Sequence, residues 1–303
     1  MKSRLVRALA ATGITALAVT GFAAAAYRSY GPGTNDERLV RFQRRWRAFA
    51  SPDLAPDIWR FVAKGVGITL QIALISIALS LVFGVVLALM RLARSETLPI
   101  PAPAPVRMAI AAPAAVLVQA IRASPLYMLI LYTFIAAPKL GFDFSAKTAG
   151  VVALTLYTSC VLAEIVRAGV LSLDTGQFEA ASSLGLSYTK QLRFVILPQA
   201  LRRMIPAVVS QLVTLIKDTS LLSFITVLEV NRRLNIISQQ QYNPIETSLI
   251  AAAIYFAINF ALSTVARRIE ASHRRVGGAA EANLQSIGSE DQTLVATAPA
   301  RIR

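Results

Sequence analysis

The sequence predicts an all-α membrane protein. Of its 303 residues, 55% are hydrophobic. They gather into runs of about twenty, the length that crosses a bilayer core at about 1.5 Å of helix per residue. A soluble helix of that length needs a polar stripe, and residues 66–90 carry almost none. The net charge of +15 does not indicate nucleic-acid binding, because the arginines and lysines lie mostly between the hydrophobic runs, where they anchor and orient spans. No module that interleaves aromatic and basic residues for base stacking is visible.

Six hydrophobic segments follow in order. The first, about 8–27, is alanine-rich and follows Lys2, Arg4 and Arg7; it reads either as a retained membrane helix or as a secretory signal peptide, with Ala23–Ala26 as the small residues of a cleavage site. Residues 28–64 form an external, Arg-rich linker in which Phe42, Trp46 and Phe49 fall at i, i+4 and i+7 among Arg41, Arg44, Arg45 and Arg47. That pattern predicts an amphipathic helix, either lying on the membrane surface or packed on the protein, ended by Pro52 and Pro56. The second segment, 65–90, repeats Ser76, Ser80, Gly84 and Ala88 every four residues, a small-residue face that admits a neighbouring helix closely. Pro99, Pro101, Pro103 and Pro105 then predict a stiff extended linker. The third segment, 107–138, is interrupted by Pro113, Arg122 and Pro125; the fourth spans 147–171, the fifth 203–226 and the sixth 246–268. Residues 271–303 read as a disordered tail.

Counting basic residues from an inner N-terminus puts Arg91, Arg94, Arg107, Arg167, Lys190, Arg193, Arg202, Arg203 and the C-terminal set from Arg267 on the inner side, with both termini. The Arg-rich 28–64 segment runs against this count. A single cysteine, Cys160, excludes an intrachain disulfide and reads as a small apolar residue within a span; with His273 the only histidine, no metal-ligand cluster is expected. Neither Gly-x-x-x-x-Gly-Lys-Ser/Thr nor a hydrolase or metalloprotease signature occurs.

The polar island between the fourth and fifth segments is the most informative stretch. Asp174 and Gln177 stand as N-cap and N3 of a capping box, so a short helix is predicted to Leu184. Gly185 suits the left-handed turn that ends it, and Ser187 can cap a second helix limited by Pro198. The product presents Ala180 and Ala181 as a small-residue surface with Glu179 beside it.

Glu179-Ala180-Ala181, Gly185 four residues on, and Leu197-Pro198 together resemble the EAA loop of permease subunits in ATP-binding-cassette importers. Arg122-Ala-Ser-Pro-Leu126, Glu164-Ile-Val-Arg167-Ala-Gly169, Val195-Ile-Leu-Pro-Gln-Ala-Leu-Arg202 and Lys217-Asp-Thr-Ser-Leu221 are similar to stretches of the polar-amino-acid (glutamate/histidine-type) permeases. Ala123 stands where that family has Gly, and Val195 where it usually has Ile. The resemblance covers residues 60–270; the extra N-terminal segment and Arg268-Ile-Glu270 look like the glutamate-type permeases of high-GC Gram-positive bacteria.

It implies a type I importer permease fold: five core transmembrane helices over 65–270 plus one N-terminal helix, with cytoplasmic coupling helices in 174–198. Glu179, Ala180, Ala181, Gly185, Leu197 and Pro198 would couple to an ATPase. The implied assembly has two permease subunits, same or paralogous, a cytoplasmic ATPase dimer and an external substrate-binding protein, in the bacterial cytoplasmic membrane. The chain itself would be no enzyme and hold no cofactor, ATP being bound by the partner. An amino-acid zwitterion needs partners for both charges, and ionisable groups in spans are costly enough to be candidates: Arg122, Glu164, Lys217 and Asp218, with Thr219 and Ser220 as donors. The competing reading is internal pairing, for instance Glu164 with Arg167 at i, i+3. The alternatives in function are another small cargo, such as an opine or osmolyte, and more remotely a passive channel or scaffold.

Overall fold

A computed structural model describes residues 35–52, 54–94, 102–241 and 243–264; the first hydrophobic segment, Pro99, Pro101, His273 and the tail lie outside the described residues. The described residues are helical, with no strand among them. Five helices are long and apolar enough to cross a membrane: Ala55–Leu92, Ala104–Ala123, Ala146–Leu171, Thr189–Ile225 and Pro244–Thr264. These correspond to the five core segments expected, with shifted ends.

In chain order, α1 is Asn35–Ala50, α2 is Ala55–Leu92, α3 is Ala104–Ala123, α4 is Leu126–Lys139 and α5 is Ala146–Leu171. α6 is Thr175–Ser183, α7 is Tyr188–Gln191, α8 is Leu197–Asp218, α9 is Val230–Gln241 and α10 is Pro244–Thr264. A π-helical turn, Leu192–Ile196, joins α7 to α8, and a 3-10 helix, Thr219–Ile225, continues α8.

Prolines account for most of the shifted ends. Pro56 does not close the linker: it stands in the first turn of α2, so the boundary expected at residue 64 falls inside a helix. Pro105 is likewise helical, in the first turn of α3, where its missing N–H would have had no partner anyway, so the extended linker expected through 105 stops at Pro103. Pro113 is carried inside α3, whereas Ser124 and Pro125, both extended, separate α3 from α4. The fifth span starts well before 203, and Pro198 sits at its N-terminal turn instead of limiting the helix before it.

The described residues divide into two units, one of residues up to Thr69 with Leu228–Ile254, the other of Leu70–Val227 with residues from Tyr255. In the first unit, Phe49 of α1 is buried; its ring lies 6.0 Å from Trp46 and 6.2 Å from Trp59, and Trp59 Nε1 donates to Phe49 O at 3.1 Å. The side chain of Phe42 lies outside the described residues. Arg233 of α9 donates to Leu228 O at 2.8 Å and Phe61 O at 3.1 Å and stacks on the Phe61 ring.

In the second unit α5 is central, packing against α3, α4 and α8. The small-residue face of α2 supplies another contact: Ser76, Ser80 and Ala88 are wholly buried, and Ser80 Oγ donates to Thr155 O at 3.2 Å. A Cβ on Gly84 would stand 2.8 Å from Leu162 Cβ and 3.2 Å from Ser159 O, so hydrogen alone fits there. Cys160 is buried with Ala88, Val118 and Ala163, as an apolar reading requires. Gly84→Val should therefore separate α2 from α5 and cost about 1–3 kcal/mol by overpacking. A lower melting temperature of the detergent-purified chain, with Gly67→Val (no atom within 4 Å of its Cβ) as the benign control, checks this.

Candidate functional site

The polar segment between α5 and α8 folds as a clasped hairpin. Asp174, in extended conformation, caps α6 by accepting from Gly176 N at 2.8 Å. The capping box is only half made: Gln177 turns outward and its Oε1 accepts from Gln199 Nε2 at 3.0 Å. α6 ends in bonds from Leu184 N to Ala180 O (3.1 Å), Gly185 N to Ser182 O (2.9 Å) and Leu186 N to Ala181 O (3.3 Å), with Gly185 left-handed at φ +71°. A side chain at that φ is strained, which is why glycine stands there.

The return helix opens with Gln191 N donating to Ser187 O at 2.9 Å. Buried Gln191 then closes the hairpin, its Nε2 donating to Leu186 O at 2.7 Å and Ser182 Oγ at 3.1 Å. Sequence inspection missed Gln191, because a glutamine in a polar stretch carries no signal of burial.

One face of α6 is rooted in the spans. Phe178 is buried with Leu92 of α2, Val170 and Leu173 at the end of α5, Ile196 of the π-turn, and Ala200 and Met204 of α8. Arg203 ties α8 to the C-cap of α5 by donating to Ser172 O. The opposite face leaves Glu179, Ala180, Leu184 and Gly185 exposed, and Leu197 and Pro198 are exposed on α8. Ala181 does not belong to that exposed surface: it is 3% exposed and faces the hairpin interior, because α6 turns its Phe178/Ala181 side inward at i, i+3 spacing. Leu184, 78% exposed, takes its place as an apolar group at the tip.

A second polar cluster lies inside the spans. Glu164 of α5 accepts from Arg91 of α2 and from Arg167, whose Nη2 is 2.5 Å from Oε1 and Nε 3.4 Å from Oε2. Arg122 of α3 stands farther off, 3.8 Å from Oε2. Internal pairing thus accounts for Glu164. Arg91 was legible only as a charge at a span end; its pairing needed the helices to be placed.

The third group is the junction of α8 with its 3-10 continuation. Thr219 is fully buried and donates to Ile216 O at 2.6 Å, and Ser220 donates to Lys217 O at 2.8 Å, so both hydroxyls are committed to backbone carbonyls. Among the described residues, the side chains of Asp218 and Lys217 make no hydrogen bond or ion pair. The 3-10 helix ends at Thr226, left-handed at φ 65°, an unusual conformation for a β-branched residue. No group of three or more metal-capable side chains exists among the described residues.

The model of the family described as "Binding-protein-dependent transport system inner membrane component" matches residues 107–275. Among curated proteins, the chain is 43% identical to a probable glutamine ABC transporter permease protein of Bacillus subtilis (strain 168), over 69% of this chain and 92% of that one. It is 31% identical to an arginine transport system permease protein of the same strain, over 69% and 91%. Among solved structures, it is similar to the crystal structure of an amino acid ABC transporter with histidines, at 30% identity and a TM-score of 0.63, covering 70% of this chain and 94% of that one. An inward-facing methionine ABC transporter shares the fold at 20% identity and a TM-score of 0.57, covering 72% and 98%.

The Glu164 cluster predicts an asymmetric response to mutation. Glu164→Gln leaves Arg91 and Arg167 facing each other across a partly buried space and should cost about 2 kcal/mol, less than the roughly 3–5 kcal/mol of a fully buried pair. Adding Arg91→Met should recover part of the loss, measured as melting temperature of single and double variants.

Proposed function

The chain belongs to the family of binding-protein-dependent transport system inner membrane components, and on that premise we propose that it carries a polar amino acid inward, driven through the 174–198 hairpin by a separate ATPase. It is a multi-pass permease subunit of an ATP-driven importer and not an enzyme; hydrolysis belongs to the ATPase of such systems. The proposed assembly pairs two permease subunits, same or paralogous, with a cytoplasmic ATPase dimer and an external binding protein. The hairpin and both termini then face the cytoplasm. No cofactor is required of this chain, ATP being held by the partner.

The observation that carries this reading is the division of α6 into two faces. Its tip offers a small docking knob with one acid and one exposed leucine, Glu179, Ala180 and Leu184. Its root, Phe178, is packed among the ends of α2, α5 and α8. A push on the tip cannot be absorbed locally, because the hairpin is clasped by Gln191 and bent at a fixed glycine. The push is passed to the spans, which is what alternating access driven from outside the permease requires.

For the cargo, the support is two charged side chains within a span, Asp218 and Lys217, that make no hydrogen bond or ion pair among the described residues, together with the amino acids named for the relatives. Asp218 suits an α-ammonium and Lys217 a carboxylate. Arg122, only loosely held by Glu164, is a further carboxylate partner. Thr219 and Ser220 act as supports for this turn, their hydroxyls holding the backbone.

Two variants separate motor from cargo in proteoliposomes holding the complete importer. Glu179→Lys should lower both ATPase retention and uptake by about tenfold or more, while the binding protein still binds amino acid; retained coupling would remove the docking role. Asp218→Asn should raise the transport KM about 10-fold or more, as expected for a lost charge-assisted hydrogen bond of about 1.5–3 kcal/mol, with ATPase retention unchanged. Uptake confined to a solute that is not an amino acid would overturn the cargo assignment.

A further inference from the structure

A cavity of about 330 Å³ opens where the ends of α2 and α5 meet the middle of α3. Arg91 and Arg94 from the end of α2 and Arg167 from the last turns of α5 line it, with Ala111, Ala112 and Ala115 of α3 as the opposite wall. We propose that this cavity binds a phosphate oxyanion, presented by the headgroup of an anionic phospholipid. The site lies apart from the Lys217–Ser220 junction and does not depend on which cargo is carried.

Charge is the first argument. The lining holds three arginines and no acid. The carboxylate behind it, Glu164, is already taken by Arg91 and Arg167, and Arg122 adds a further cation at 3.8 Å. One negative charge thus serves four positive ones, and the excess faces the cavity. An arginine has five N–H donors and cannot shed its proton, so most donors on Arg91 and Arg167 are unspent. Arg94 is exposed and has no hydrogen bond or ion pair among the described residues. Arg107 adds to the field: it lies one helical turn before Ala111 on the same side of α3, and its Nε is buried without a hydrogen-bond partner.

Chemistry then selects the ligand. A zwitterionic amino acid needs an acceptor for its ammonium group, and this lining supplies none. A phosphate diester carries only negative charge and accepts from several guanidinium forks at once. The alanine wall leaves room for it. Position favours the lipid source: Arg91 and Arg94 stand at the last turn of one span and just past it, and Arg167 one turn inside the end of another. That is the level at which headgroups lie and at which arginine recognises anionic lipid.

The test uses the purified full chain in neutral detergent, with native mass spectrometry reading retained lipid and thermal unfolding as a second measure. Short-chain phosphatidylglycerol should be held at least fivefold more tightly than short-chain phosphatidylcholine. Arg94→Gln, which breaks no hydrogen bond or ion pair among the described residues, should weaken phosphatidylglycerol binding about fivefold, the usual worth of one arginine at an anionic lipid surface. Lys147→Gln, at the other end of α5, removes the same charge together with a hydrogen bond to Gln71 Oε1 and should leave phosphatidylglycerol retention unchanged. In a separate arm, millimolar inorganic phosphate that stabilises the parent chain but not Arg94→Gln supports the oxyanion site while assigning it to a free anion. Equal retention of the two lipids with no response to phosphate, or equal losses from Arg94→Gln and Lys147→Gln, overturns the proposal.

Discussion

The second unit depends on how α5 is held, and the most demanding contact is the carboxylate of Glu164 between Arg91 and Arg167. A lone acid inside a span is expensive, and a lone arginine is no cheaper. Placed together they offset one another, and the geometry that permits this is strict: α2 must approach α5 closely enough for a side chain to cross. Gly84, Ser80 and Ala88 on α2 permit that approach within about three turns of Arg91. The small-residue face and the ion pair are therefore one device. The first brings the helices together without a side chain in the way, and the second fixes their register.

Much of this was legible in the sequence, and the reasons differ by feature. Five spans follow from length and hydrophobicity alone, since backbone groups in lipid have no partner outside a helix. The Asp174 cap and the Gly185 bend were legible because each has a local cause, a side-chain acceptor in one case and a positive φ in the other. The ends of spans were not. Proline was read as a segment limit at Pro56 and Pro198 and as extended linker at Pro105, yet each lies in a first helical turn, where it costs nothing. Which role a proline takes depends on which side of it the helix runs, and that is decided by packing. Ala181 was misjudged for a related reason: two adjacent alanines look alike in sequence, but a helix turns about 100° between them and sends one inward.

The Lys217–Ser220 stretch shows how a motif divides into roles once placed. Its two hydroxyls are consumed locally, Thr219 and Ser220 each reaching back to a carbonyl as the helix tightens to 3-10. Its two charged side chains make no hydrogen bond or ion pair among the described residues. Sequence spacing gives the four residues equal standing; hydrogen-bond accounting separates supports from candidates for binding. The left-handed Thr226 closes the same 3-10 segment. Backbone strain at the end of such a turn is stable only where the surroundings enforce it, and buried Leu222, Ser223 and Ile225 do so.

The π-helical turn supplies the remaining link between hairpin and spans. An ordinary helix from Tyr188 to Asp218 would transmit a push as a rod. Here Leu197 N bonds to Leu192 O, five residues back, so the helix carries one wide turn between hairpin and span. Wide turns are uncommon and are found disproportionately at functional places. Its Ile196 is fully buried in the same cluster as Phe178 and Met204, while Phe194 and Leu197 on the other side are exposed. The wide turn is thus packed on one face and exposed on the other, and the hairpin reaches α8 by two routes, through the buried cluster around Phe178 and along the chain at Leu192–Ile196.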